Sequence, residues 1–115
     1  MKLPTFLFLA ALTLGASASI TAVRDIFEHS CVECHNAEKD KGGLRMDLKA
    51  SFFEGGDSGS PIDLETPDKS ELLRRVLLAH DDDEFMPPSS KKKERKPLTQ
   101  EEINRLKNWI TKGAK

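Results

Sequence analysis

The stretch Cys31-Val32-Glu33-Cys34-His35 constrains this chain more than any other. It holds both cysteines of the 115-residue sequence, with a histidine directly after the second. Four chemistries compete for such a cluster. A structural disulfide across C-x-x-C closes too short a loop to remove much chain entropy, and it leaves His35 unexplained. A thioredoxin-like redox pair belongs beside a strand–helix–strand pattern, and no strand-like alternation occurs in the sequence. Zinc would find three ligands here and take His29 or His80 as a fourth, but a second spaced Cys or His pair is missing. Covalent c-type haem asks for this spacing. Two thiols on one helical turn add to the two vinyl groups on one side of a porphyrin, and the next imidazole becomes the proximal iron ligand. The expected cofactor is therefore one haem c, with zinc binding as the lesser alternative.

The N-terminus agrees, since c-type haem is normally attached outside the cytoplasm. Lys2 precedes an apolar run ending near Leu14, and Ala16 and Ala18 form an A-x-A cleavage pattern. This predicts a signal peptide over residues 1–18 and a single domain over 19–115. The run is too short to span a membrane, which takes about 20 apolar residues. Export to a bacterial periplasm is expected, with no stable membrane span after cleavage. Once Lys2 leaves with the leader, 17 basic side chains face 19 acidic ones. That balance carries no basic excess of the kind that binds nucleic acid. With no tyrosine and few large apolar residues, so small a domain buries a limited core and leans on a cofactor. Its apolar residues are expected to line a pocket rather than fill a solid centre.

The apolar spacing predicts an all-α fold of three or four helices with long loops. Ile20, Val23, Phe27 and Cys31 form one helical stripe. Asp47 is placed to cap a short helix carrying Leu48, Phe52 and Phe53, ended by Gly55-Gly56. Asp68 and Glu71 read as the start of a third helix running to His80, with Leu72, Leu73, Val76 and Leu77 on its apolar face. The last helix has the clearest start. Thr99 and Glu102 make a capping box, Leu98 and Ile103 a hydrophobic staple, and Gly113 marks the end.

Iron bound by one histidine either keeps an open site or takes a second protein ligand for electron transfer. Met86, in Phe-Met-Pro-Pro, is the expected sixth ligand, because the prolines stiffen a loop able to fold over the ring. His80 is its rival. Met46 lies close to the attachment motif and is expected to pack against the ring edge, and His29 is on the wrong side. The acidic run at residues 81–84 reads as a solvated loop. The basic run from Lys91 to Lys96 either solvates a loop or flanks the electron-exchanging edge, where it would steer an acidic redox partner.

With these residues identified, the chain resembles a monohaem class I c-type cytochrome, and more narrowly the planctomycete-type cytochrome c domain. The resemblance is carried, in order across residues 22–114, by CVECH, KGGLRMD, GGDSGSPI, PDKSELLRRV, MPP and LTQEEINRLKNWITKGA. It implies a small class I cytochrome c-like fold whose first and last helices cross and pack, bringing Phe27 to the Trp109 face. It also implies thioether links at Cys31 and Cys34, and axial His35 and Met86. The segment SSKKKERKP is longer and more basic than the family pattern, and PIDLETP lacks its usual glycine. The expected function is single-electron transfer and not enzymatic catalysis, since both axial positions are taken and no acid/base constellation accompanies them. The alternative is a sensory or accessory haem module with a labile Met86.

Overall fold

A computed structural model of the chain describes residues 19–89 and 95–115. The predicted leader lies outside the described residues, as does most of the basic run. Among the described residues the fold is all-α: four α-helices, short 3-10 turns and no strand. The helices are α1 (Arg24–Ser30), α2 (Lys49–Glu54), α3 (Glu71–Leu77) and α4 (Gln100–Thr111).

The predicted start of α4 forms as expected. The Thr99 hydroxyl accepts from the Glu102 amide at 3.1 Å, and Glu102 returns the contact to the Thr99 amide at 2.9 Å. Leu98 and Ile103 are both buried beside it. Ile103, Leu106, Trp109 and Ile110 then face inward along one stripe.

The other starts differ from the expectation. Asp47 does not cap α2: the N-cap is Leu48, one residue later, and the Asp47 carboxylate accepts from the Arg45 guanidinium at 2.8 and 3.1 Å. Asp68 falls in a 3-10 turn, and α3 begins after Ser70 without a side-chain cap. Ser70 is fully buried, and its hydroxyl accepts from the Asp63 amide at 2.9 Å, which ties the preceding loop to the helix. Helix α3 also stops at Leu77, so His80 lies in the following turn. In α1 the backbone kinks at Cys31, the C-cap, instead of carrying the helix through it.

The centre of the fold is a solid aromatic cluster. Phe27 of α1 meets Trp109 of α4 edge-on, with centroids 5.7 Å apart and planes at 79°. Phe52 of α2 joins both, at 5.3 and 6.2 Å, within the spacing at which ring quadrupoles attract. Arg105 of α4 locks the same junction from outside by pairing with Asp25 and donating to the Ala22 carbonyl. The expectation that the apolar residues would only line a pocket is thus corrected. Phe27, Phe52 and Trp109 fill a core of their own, while Met46, Leu72, Val76 and Leu98 serve both that core and a neighbouring cavity.

Candidate functional site

Beyond α1 the chain makes one further hydrogen-bonded turn. The Cys31 carbonyl accepts from the amides of Cys34 and His35, both at 3.2 Å. Asn36 then shapes the exit: its amide group donates to the Val32 carbonyl at 2.7 Å, and its side-chain oxygen accepts from the Glu38 and Lys39 amides. This turn sets Cys31, Cys34 and His35 on the wall of a cavity of about 340 Å3, within the usual size of a small-molecule site. Both thiols are free and half-buried.

His35 is held by its ring. Nδ1 lies 3.1 Å from the Leu44 carbonyl oxygen, an acceptor, so Nδ1 carries the proton and the Nε2 lone pair stays available. Burial holds the imidazole below the ordinary histidine pKa, with the Arg75 charge adding to the effect and the Leu44 and Lys41 carbonyls opposing it. The ring is therefore neutral at pH 7, the form that binds a metal. Desolvation, reinforced by Glu102 and Cys34, pushes the Cys31 thiol up to about 12. It is protonated at neutral pH and unlike the acidic thiolates of redox-active pairs.

Two glycine-bearing loops build the adjacent wall. The Asp57 amide donates to the Gly42 carbonyl at 2.8 Å. A side chain at Gly56 would stand 2.3 Å from that same oxygen. The segments KGGLRMD and GGDSGSP are thus two halves of one interlocked backbone surface, with no room for a Cβ where they touch.

Met86 reaches the cavity from the loop after α3, together with Pro87 and Pro88. Its amide donates to the Arg75 carbonyl at 3.2 Å, and Phe85 beside it is buried. The Met86–Pro87 peptide is cis. The structure therefore brings Cys31, Cys34, His35 and Met86 to one cavity. It does not bring the rivals there. His80 is exposed and stacks on Phe85, with centroids 4.7 Å apart, and His29 borders a separate cavity. Met46 is buried in the core and lines the cavity wall. Among the described residues no three His, Cys, Asp or Glu side chains converge as a metal cage.

Sequence reasoning missed the charged part of the wall. Arg75 donates to Glu71 at 3.0 Å and to the Ser58 hydroxyl at 3.2 Å. Arg74 continues the network from Glu71 to Glu84, just before the Met86 loop. The i, i+3 and i, i+4 spacing of Glu71, Arg74 and Arg75 was the available signal. Among the described residues no helix is long and apolar enough to cross a membrane.

No curated protein and no solved structure matches this chain. The family described as Planctomycete cytochrome C matches residues 31–90, from the first cysteine of the site to just beyond its methionine loop. That span is over half of the sequence, and the chain belongs to this family of cytochrome c-type haem proteins.

Proposed function

We propose that the protein is an exported carrier of single electrons, with haem linked to Cys31 and Cys34 and its iron bound by His35 and Met86. The observation that supports this best is the convergence of these four side chains on one cavity. The residues present suit the group. Leu44, Met46, Leu72, Val76 and Leu98 offer apolar walls, and Arg75 and Lys41 stand beside them as cations. This is the chemistry required by a flat apolar ring bearing two carboxylates. The haem supplies a reversible one-electron change at iron. The protein's part is to hold the ring through two thioethers, each made by adding S–H across a vinyl double bond with nothing lost. Nε2 of His35 and the Met86 sulfur would be the iron's protein ligands, and thioether ligation would raise the reduction potential above that of a bis-histidine site. Export is part of this reading: residues 1–18 would be a leader and residues 19–115 the domain.

The partner in this reading is an acidic redox protein that docks transiently near the basic segment from Lys91 to Lys96. Lys96 is exposed beside the second cavity. Such docking is fast, small in area and salt-sensitive. The deciding experiment is an absorption spectrum of the holoprotein, oxidised and reduced, with carbon monoxide added to the reduced form. A far-red ferric band that disappears in Met86→Ala, with no response to carbon monoxide in the wild type, is the expected result. Immediate carbon monoxide binding by the wild type would sink the carrier reading in favour of a sensor. A colourless protein holding zinc would sink the haem reading itself.

A further inference from the structure

Arg95, next to last in the unusual basic segment from Lys91 to Lys96, lines two cavities. The second cavity, of about 600 Å3, shares Ser30, Glu33, Pro87 and Arg95 with the one that holds the site. The Arg95 side chain is only 20 % exposed. One guanidinium nitrogen donates to the Pro88 carbonyl at 3.2 Å, two residues beyond Met86. Nε lies 3.5 Å from a Glu33 carboxylate oxygen, between the two cysteines. That distance makes an ion pair but no formed hydrogen bond, and Nε is buried without a hydrogen-bond partner. One side chain therefore bridges the methionine loop and the C-x-x-C turn.

We propose that Arg95 is the latch of the Met86 loop, a positioning residue that keeps the methionine at the cavity and excludes exogenous ligands entering from the second cavity. The inference rests on the electron-carrier reading, in which Met86 is the sixth ligand. Among the described ties around Met86, two differ in their consequences. The bond from the Met86 amide to the Arg75 carbonyl is backbone to backbone and cannot be tuned by a side chain. The Arg95 bridge is charge-assisted; its donation to the Pro88 carbonyl comes from a largely enclosed guanidinium, while Glu33 at its other end is 43 % exposed and adds less. Its planar fork can serve a carbonyl and a carboxylate together, which the single ammonium of a lysine does poorly. The single arginine of a segment that departs from the family pattern thus acquires a task that a solvated lysine run would not have.

The test uses the full holoprotein in wild-type, Arg95→Ala, Arg95→Lys and Glu33→Gln forms, with imidazole as the probe ligand for ferric iron. Imidazole binds only when Met86 has left, so its apparent affinity reads loop opening. Arg95→Ala is expected to raise that affinity roughly tenfold, and to speed hydrogen exchange at the Met86 amide. Helix content and haem stoichiometry stay unchanged. Arg95→Lys and Glu33→Gln should fall between, since each keeps half of the bridge. If Arg95→Ala does not assemble, the other two variants carry the same reading at smaller amplitude. Imidazole affinities equal to wild type in all the variants that assemble would overturn the latch while leaving the His35/Met86 site intact. A wild type that lacks the far-red band and binds imidazole freely would instead remove the electron-carrier reading, and the latch with it.

Discussion

Around Trp109 the chain packs aromatic rings against one another, whereas around Met86 it lines a cavity with loops held by backbone hydrogen bonds and ion pairs. The first region is stabilised by apolar burial that needs no ligand. The second presents apolar side chains such as Leu72, Val76 and Leu98 to a space they do not fill. Hydrophobic burial grows with area removed from water, so this half is complete only when a large apolar group occupies it. On the electron-carrier reading, the haem would serve as the missing side of one half-core and not as the centre of the whole domain.

The largest effect that could break this division comes from Trp109. It is fully buried and touches Phe27, Phe52 and Phe53. Trp109→Ala should cost about 3–5 kcal/mol, much of the total for a domain of this size. Urea unfolding should show the loss equally with and without haem attached. A loss confined to the apoprotein would mean that the two halves share one core.

Gly56 tests the loop half. Its backbone φ is not in the left-handed region, so the obstacle to a side chain is purely steric, a Cβ 2.3 Å from the Gly42 oxygen. Gly56→Ala should part the two glycine loops and cost about 3 kcal/mol. Haem retention should fall while the Phe27–Trp109 contact survives, as tryptophan fluorescence would report. Gly42→Ala supplies the contrast, because there the surrounding space is open and φ is +64°. Left-handed strain alone predicts about 1 kcal/mol, and equal losses at the two positions would contradict this account.

Two helix starts sharpen the comparison further and show what the sequence could reveal. Thr99 and Glu102 act within one turn of chain, so residue spacing was enough to identify them. Ser70 was not identifiable, because its hydroxyl serves an amide seven residues back, and no local pattern encodes that. The misread acids are a different case: Asp47 lies one residue before the Leu48 N-cap and Glu71 is the first residue of α3, and arginines two and three residues away hold their carboxylates. At the site, Cys31, Cys34 and His35 were legible because their chemistry fixes their spacing. Arg75 and Arg95 were not, because their roles depend on which loops the fold brings alongside them. Ser70→Ala should leave the Asp63 amide without a partner, costing about 1–3 kcal/mol, and Thr99→Ala about 1 kcal/mol. Thermal unfolding that ranked Thr99→Ala the more damaging would reverse this reading.

The smallest expected effect concerns the ion pairs on the cavity wall. Glu71 accepts from Arg74 at 2.6 and 2.9 Å and from Arg75 at 3.0 Å, and these contacts hold its carboxyl down to about 2. A carboxyl depressed below its unfolded value of about 4.5 stabilises the fold fully above that pH. The contribution is then lost as pH falls from about 4.5 towards 2, where the folded form too is protonated. Glu71→Gln should therefore flatten the fall of the unfolding midpoint across this acid window. The Glu71 side chain is 27 % exposed, so solvent screens the pairs and the difference is modest. It should shrink further in 1 M salt, where charges are screened beyond about 3 Å. An unchanged acid slope in Glu71→Gln would show that this wall is held by its backbone ties alone, with the arginines left to serve the ligand.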